Sequence, residues 1–189
     1  MNYKINEIFI SIQGEGFYTG QAVIFIRFSG CNLSCPFCDT KHQTFKLMTF
    51  GDIIKEIKKY EQYSHIVLTG GEPGIVPNIN QFILKLKERG YYVQVETNGT
   101  QKIIADWITC SPKKENDYSY YPFFTNEVKY IVGEKFNIDR IMDSFKYAFD
   151  IYLQPESNKK EYIDKCVRII KEYPECKLSL QIQKLISIQ

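Results

Sequence analysis

The sequence predicts an α/β fold: a shortened, partly open (β/α) barrel with about six or seven mainly parallel strands. Three observations lead there. Apolar strand-like runs alternate with amphipathic helix-like runs, the signature of a parallel sheet with helical crossovers. A full eight-unit barrel typically takes ~250 residues, and 189 are too few for one. Residues suited to chemistry follow one strand after another, and in a parallel barrel such positions share the rim where active sites form.

Ala22–Phe28 (AVIFIRF) reads as the first buried strand. Thr49 caps a helix running through Tyr60, with Asp52 three residues later and Ile53, Ile54, Ile57 and Tyr60 on one face. His65–Leu68 is the second strand. Asn78 caps a helix that stops at Gly90, a residue suited to the left-handed position after a helix. Tyr92–Val95, Trp107–Cys110, Glu127–Val132, Ile151–Leu153 and Leu178–Ile182 supply the third to seventh strands, with helices at Ile138–Phe145 and Lys159–Tyr173. Pro112–Pro122 reads as a loop, because prolines bracket it and no 3.6-residue period runs through it. With no repeat and no low-complexity linker, residues 1–189 are expected to form one domain.

Hydrophobic residues make up 44% and charged residues 24%, a globular balance that excludes disordered and collagen-like chains. The net charge of +2 creates no dominant field, so neither a nucleic acid nor a membrane is expected as partner. The longest apolar run, Ala22–Ile26, is far short of the ~20 residues that span a bilayer. The N-terminus lacks the apolar core and cleavage site of a signal peptide, so the expected location is the cytoplasm, where free thiols persist.

Cys31, Cys35 and Cys38 crowd into eight residues, while Cys110, Cys166 and Cys176 are scattered and read as structural. Three soft thiolates at C-x3-C-x2-C suit three corners of a 4Fe–4S cubane and leave one iron open to another ligand. The alternative is zinc, with His42 as a fourth ligand. Structural zinc sites usually show paired short spacings, and zinc leaves the polar segments at the strand ends unexplained.

The cysteine triplet with Phe37 before its last member, together with Thr69-Gly70-Gly71-Glu72-Pro73, resembles the signatures of the radical S-adenosylmethionine superfamily. FISIQGEG (Phe9–Gly16), Phe25–Arg27, Cys38–Thr40, Glu96–Thr100, Ser111–Lys113 and Gln154-Pro155 resemble one branch of it, over nearly the whole chain. That branch acts on 6-carboxy-5,6,7,8-tetrahydropterin. The resemblance implies a trimmed barrel paired as a homodimer, a 4Fe–4S cluster, S-adenosylmethionine and Mg²⁺, with a flavodoxin or ferredoxin as reductant. It implies that a 5′-deoxyadenosyl radical takes hydrogen from C6 of the pterin. The ring then contracts with loss of ammonia to a 7-deazaguanine carboxylate, a precursor of queuosine-type bases or of secondary metabolites.

The implied roles fall on residues of this chain. Cys31, Cys35 and Cys38 would hold the cluster. Phe37, Cys38, Asp39, Gly70, Gly71, Glu72, Glu96, Asn98, Ser111, Pro112, Lys113 and Gln154 would surround S-adenosylmethionine. The glycine pair would let backbone approach its methionine part, and Glu72 would accept from its ammonium. Ile12, Gln13, Gly14, Glu15, Arg27, Thr69 and the terminal carboxylate of Gln189 would hold the pterin, with Arg27 on its carboxylate. An ion pair with a core carboxylate is the other reading of Arg27, discounted because arginine in an apolar strand is costly unless it faces a polar cavity. Thr40 would ligate Mg²⁺. Two positions depart from the pattern: Gln183 stands where histidine is common, and Phe37 where tryptophan is common. Glutamine donates and accepts hydrogen bonds but cannot carry a proton charge.

Two other classes compete: another small radical enzyme such as a glycyl-radical activase, and a zinc or electron-transfer module. The Gln13–Gly16 segment and Arg27 favour a small-molecule pocket over a protein substrate.

Overall fold

The computed structural model describes residues 1–38, 40, 43–113, 125–144 and 148–188. Its elements are β1 (Asn2–Ile12), β2 (Ala22–Phe28), β3 (Lys46–Thr49), α1 (Phe50–Ile57), β4 (His65–Gly70), α2 (Ile79–Lys87), β5 (Tyr92–Thr97), β6 (Trp107–Cys110), β7 (Glu127–Val132), α3 (Asp139–Ser144), β8 (Asp150–Pro155), α4 (Lys160–Glu172), β9 (Cys176–Leu178) and α5 (Ile182–Leu185). One nine-stranded sheet has the order β3-β1-β2-β4-β5-β6-β7-β8-β9. From β2 to β9 every neighbouring pair is parallel, while β1 runs antiparallel to both β2 and β3. The sheet stays open, with β3 and β9 as its edges.

Side-chain alternation sorts the parallel strands into two faces. Ile24, Ile26 and Phe28 of β2, Ile66 and Leu68 of β4, and Val93 and Val95 of β5 pack with Ile53 and Ile57 of α1 and Phe82, Ile83 and Leu86 of α2. Val128, Tyr130 and Val132 of β7 and Ile151 and Leu153 of β8 pack with Ile141 of α3 and Cys166 and Ile169 of α4. The intervening positions face the concave side, and many are polar: Arg27, Thr69, Glu96, Lys129 and Gln154 all border one cleft.

The seven expected strands are present, six at or near their expected bounds. The seventh is a correction: β9 occupies Cys176–Leu178, and the chain turns into α5 at Ile182 instead of continuing as a strand to that residue. Two strands escape the sequence pattern. In β1 a bulge between Ile5 and Glu7 breaks the register, so the two-residue alternation does not persist along it. β3 has only four residues.

Helix α1 begins as its sequence requires. Thr49 Oγ1 accepts from Asp52 N at 3.2 Å, and Thr49 N donates to Asp52 Oδ2 at 3.0 Å, a reciprocal capping box. Asn78 is different: it precedes α2 in the left-handed region (φ 55°) and makes no side-chain cap. Gly90, at φ 84°, takes the left-handed position after α2. Helix α3 covers Asp139–Ser144, and its expected end at Phe145 lies outside the described residues, as do residues 114–122 of the Pro112–Pro122 loop. No helix among the described residues is long and apolar enough to cross a membrane.

Candidate active site

The loops leaving the parallel strands pack on one another at one rim. Gly71 N donates to Phe28 O (3.1 Å) and Glu72 N to Gly30 O (2.9 Å), joining the β4 exit to the start of the cysteine loop. This approach explains the glycine pair. A Cβ on Gly71 would stand 1.8 Å from Gly30 O, and one on Gly70 (φ 128°) 2.1 Å from Phe28 O. The space these glycines leave is filled by the chain's own backbone. Glu72 also turns inward and is 1% exposed. It accepts from Thr97 Oγ1 (2.5 Å), Gly74 N (2.7 Å) and Asn98 N (2.7 Å). Burial raises its pKa against these donors. Glu72 therefore ties the β4 loop to the β5 loop, and its expected partner, a ligand ammonium, would have to compete with three bonds already formed.

Below this rim lies a cleft of about 720 Å³. Cys31, Cys35, Phe37, Cys38 and Thr40 line it from the cysteine loop, and Thr69, Gly70, Gly71 and Glu72 from β4 and its exit. Glu96 and Asn98, Ser111 and Lys113, and Gln154 line it from β5, β6 and β8. Ile12, Gln13, Gly14, Glu15 and Arg27 complete it from β1 and β2. Pro112 is the exception: it is buried and does not line the cleft, and its carbonyl accepts from Arg140 Nη2 at 3.2 Å. Asp39, His42 and Gln189 lie outside the described residues.

Gln13–Gly16 reaches the cleft by an unexpected route. Because β1 is antiparallel, Ile12 lies beside Ala22 at the start of β2, so this segment leaves from the end opposite the rim. Gln13 N donates to Gln21 O and Gly20 N to Gln13 O, both at 2.8 Å, which makes it also the hairpin turn between two strands. Phe17 N donates to Glu127 Oε2 at 2.9 Å and Gly16 N to Ser179 Oγ at 3.1 Å. These bonds aim Glu15 inward.

There Glu15 meets a lysine that pattern reading passed over. Lys129 Nζ lies 2.5 Å from Glu15 Oε2 and 3.0 Å from Glu96 Oε2. Gln181 and Gln183 both donate to Glu15 Oε1, at 3.0 and 2.9 Å. Gln13 and Gln94 both donate to Glu96 Oε1, at 3.2 Å each. Burial alone would raise the pKa of Glu15, but Lys129 and the two amides hold it at about 2. Burial and the facing Glu15 push Glu96 the other way, above its ordinary value. Burial would lower Lys129, and its two carboxylates raise it instead. One strand position behind, Glu127 accepts from Thr109 Oγ1 at 2.7 Å, and burial with the Glu96 charge pushes it up to about 7.

Arg27 pairs with a carboxylate at the cleft wall, not with the core carboxylate weighed from sequence: Arg27 Nε donates to Glu7 Oε1 at 2.6 Å, across the β1–β2 ladder. The pair is half-exposed at the cleft wall, so it carries no deep burial cost. Nη1 lies 3.5 Å from Thr40 Oγ1, which keeps the guanidinium on the cleft side.

Lys113 is held by Ser111 Oγ at 2.7 Å and stands 5.7 Å above the Phe37 ring, with burial and Lys129 lowering its pKa. Lys129, Glu127, Gln94 and Thr109 share a signal that sequence reading could have used. Each is a polar residue inside an otherwise apolar strand, the same anomaly that singled out Arg27. Cys110, Cys166 and Cys176 are buried, and burial raises all three thiols, as structural cysteines require.

The donor set suits an iron–sulfur cluster. Three thiols border one cleft, where each would bind a separate iron. The fourth ligand that a zinc site would take, His42, lies outside the described residues. An open, mostly parallel α/β sheet with such a loop beyond its first parallel strand, braced by a Gly-Gly-Glu-Pro turn, defines the architecture of a radical S-adenosylmethionine enzyme.

Known proteins agree. The model of the radical SAM superfamily matches residues 25–178. The 7-carboxy-7-deazaguanine synthase of Bacteroides thetaiotaomicron is 42% identical over 192 residues, covering 100% of both chains. That of Haemophilus influenzae is 35% identical over 201 residues, covering 100% of this chain and 95% of its own. The crystal structure of QueE from Escherichia coli superposes with a TM-score of 0.79 at 30% identity, over 96% of this chain and 94% of that one. This chain belongs to the 7-carboxy-7-deazaguanine synthase family of the radical SAM superfamily.

Proposed function

We propose that this chain converts 6-carboxy-5,6,7,8-tetrahydropterin to 7-carboxy-7-deazaguanine with loss of ammonia. The observation that carries the reading is a single cleft joining three thiols at its rim to a carboxylate–lysine–carboxylate floor. When bound, the 4Fe–4S cluster and S-adenosylmethionine supply the radical chemistry, and the protein orients and shields.

Each part of the cleft has a task. Cys31, Cys35 and Cys38 hold the cluster. Ser111, Lys113, Glu96 and Gln154 face S-adenosylmethionine. Gln154 Oε1 is buried and has no hydrogen-bond partner among the described residues, an acceptor suited to a ligand N–H. Gln13, Glu15 and the backbone around them present acceptors to the amide-like edge of the pterin. With its pKa held at about 2, Glu15 stays an anion through the working range and accepts without taking the proton. The Arg27 guanidinium keeps donors on the cleft side for the substrate carboxylate while Glu7 fixes its angle. Thr40, beside Arg27, would offer its hydroxyl oxygen to Mg²⁺, a hard ion suited to oxygen ligands. Gln189, which lies outside the described residues, keeps the pterin role that the family resemblance implies. A C-terminal tag should weaken substrate binding and an N-terminal tag should not. Residues 1–189 act as one domain in the cytoplasm, paired as a homodimer and reduced by a flavodoxin or ferredoxin.

The test is anaerobic reconstitution with iron and sulfide, followed by product analysis with the tetrahydropterin, S-adenosylmethionine and a reductant. Formation of 7-carboxy-7-deazaguanine and ammonia supports the reading. Cleavage of S-adenosylmethionine with no deazapurine points to a different substrate. A colourless protein holding zinc overturns the whole scheme.

A further inference from the structure

The cysteine loop is held from a second side, by side chains that follow β5. Asn98 follows β5 and is 8% exposed, with both ends of its side-chain amide already engaged. Its Nδ2 donates to Asn32 Oδ1 at 2.9 Å, inside the cysteine loop. Its Oδ1 accepts from Thr100 N at 3.0 Å and Thr100 Oγ1 at 2.7 Å. Asn32 Nδ2 donates in turn to Thr100 Oγ1 at 2.8 Å. Three side chains thus close a ring of hydrogen bonds between the segment after Cys31 and the end of β5. On the other flank, Glu72 anchors the same β5 exit through Asn98 N and bonds the cysteine loop through its own backbone N–H to Gly30 O.

We propose that Asn98 is a positioning residue for the cluster loop, acting through Asn32 and Thr100 rather than by touching S-adenosylmethionine. The ring couples two ligand-bearing segments that are far apart in sequence. Leu33 N lies 3.4 Å from Cys31 Sγ, so the loop residue that the ring holds sits between a cluster cysteine and the amide facing its sulfur. An asparagine serves here because it donates and accepts at once. Aspartate keeps the bonds from Thr100 and loses the donor to Asn32. The proposal rests on the cluster reading above, and the experiment separates the two.

The variants are Thr100→Val, Asn98→Asp, Asn32→Ala and the double Asn32→Ala/Thr100→Val. Thr100→Val keeps shape and removes only the hydroxyl, so it folds even if the asparagine variants do not. Three quantities are read on anaerobically reconstituted protein: the half-life of cluster absorbance under an iron chelator, the change in the reduced cluster's EPR signal on adding S-adenosylmethionine, and the dissociation constant of S-adenosylmethionine. Each single variant is expected to shorten the cluster half-life about fivefold, the equivalent of one net hydrogen bond. The double variant should be no worse than its singles, because they break one ring. The EPR response should broaden, which a role in fold stability alone would not produce. If Asn98→Asp weakens S-adenosylmethionine binding while Asn32→Ala and Thr100→Val leave the half-life at wild-type length, Asn98 is a ligand contact and the proposal fails. If all variants keep the wild-type half-life and spectrum, the ring is incidental and the proposal fails. A wild-type protein that takes up no cluster overturns both this proposal and the function it rests on.

Discussion

Lys129 Nζ stands 2.5 Å from Glu15 Oε2, and this one contact joins the hairpin after β1 to the middle of β7, across 114 residues of sequence. The same ammonium holds Glu96 at 3.0 Å, so Lys129 bridges two buried carboxylates at the floor of the cleft. Replacing Lys129 with methionine leaves two buried carboxylates facing each other with only amide donors and the more distant Lys113 to offset them. The expected loss of stability is about 3–5 kcal/mol, the usual consequence of removing one partner from a buried pair. Adding Glu96→Gln to that variant should recover part of it. Urea unfolding of the three proteins at pH 7 checks the order, and a Lys129→Met protein as stable as wild type would refute it.

Glu127 predicts a pH dependence of opposite sign to the familiar acid loss. Burial and the Glu96 charge raise its folded pKa to about 7 from an ordinary 4.5. Between those values the folded state binds more protons than the unfolded one, so this group's stabilising contribution is full below about pH 4.5 and fades as pH rises through 7. Glu127→Gln removes that loss. Its stability relative to wild type should climb from pH 5 to pH 8 by on the order of 3 kcal/mol, about 1.4 kcal/mol per pKa unit. Unfolding free energies at four pH values test this, and a flat difference would mean that Glu127 titrates normally. Glu15, held at about 2, works the other way, and its contribution disappears as pH falls from about 4.5 toward 2.

Arg27→Ala should raise the apparent dissociation constant of the pterin far more than that of S-adenosylmethionine. A charge-assisted contact whose buried partner is left unpaired is worth about 2–5 kcal/mol. Glu7→Gln should have a smaller effect on the same constant, because it loosens the guanidinium without removing it. Calorimetric titration of both ligands decides. Equal weakening of the two would leave Arg27 as a structural partner of Glu7.

Cys31→Ala, Cys35→Ala and Cys38→Ala are each expected to abolish cluster assembly and turnover. Cys110→Ala, Cys166→Ala and Cys176→Ala should keep iron near the wild-type level, and their cost should be confined to stability, because all three fill buried space. Iron analysis after reconstitution separates the groups.

Gly71→Ala should disturb the site through the cysteine loop. The added Cβ would fall 1.8 Å from Gly30 O, against backbone that cannot rotate away. Overpacking of this kind costs roughly 1–3 kcal/mol, and here the strain falls on the cysteine loop, so iron retention should drop with stability. Gly20→Ala is the control: it meets nothing within 4 Å and bears only its positive φ of 91°. Similar iron content in both variants would show that the close approach is dispensable.

Much of this protein was legible from the chain alone. Strand-like runs such as AVIFIRF and EVKYIV, the Thr49–Asp52 cap and Gly90 after α2 are local signals, decided within a few residues by periodicity and dihedral preference. The cysteine spacing and the loops after strands are local too, and a parallel sheet necessarily gathers strand exits at one end. Pairing decided the rest. β1 escaped because its bulge breaks the alternation, and its antiparallel direction brings Gln13–Glu15 into the cleft from the far end. The expected last strand gives way to α5, which places Gln183 on Glu15. The Arg27–Glu7 pair, the Lys129 bridge and the inward turn of Glu72 are contacts between segments 20 to 114 residues apart or between neighbouring loops. Each is a lone polar residue in the sequence. What it does is fixed only when folding brings its partners within reach, because a charge withdrawn from water takes the partners that the tertiary structure provides.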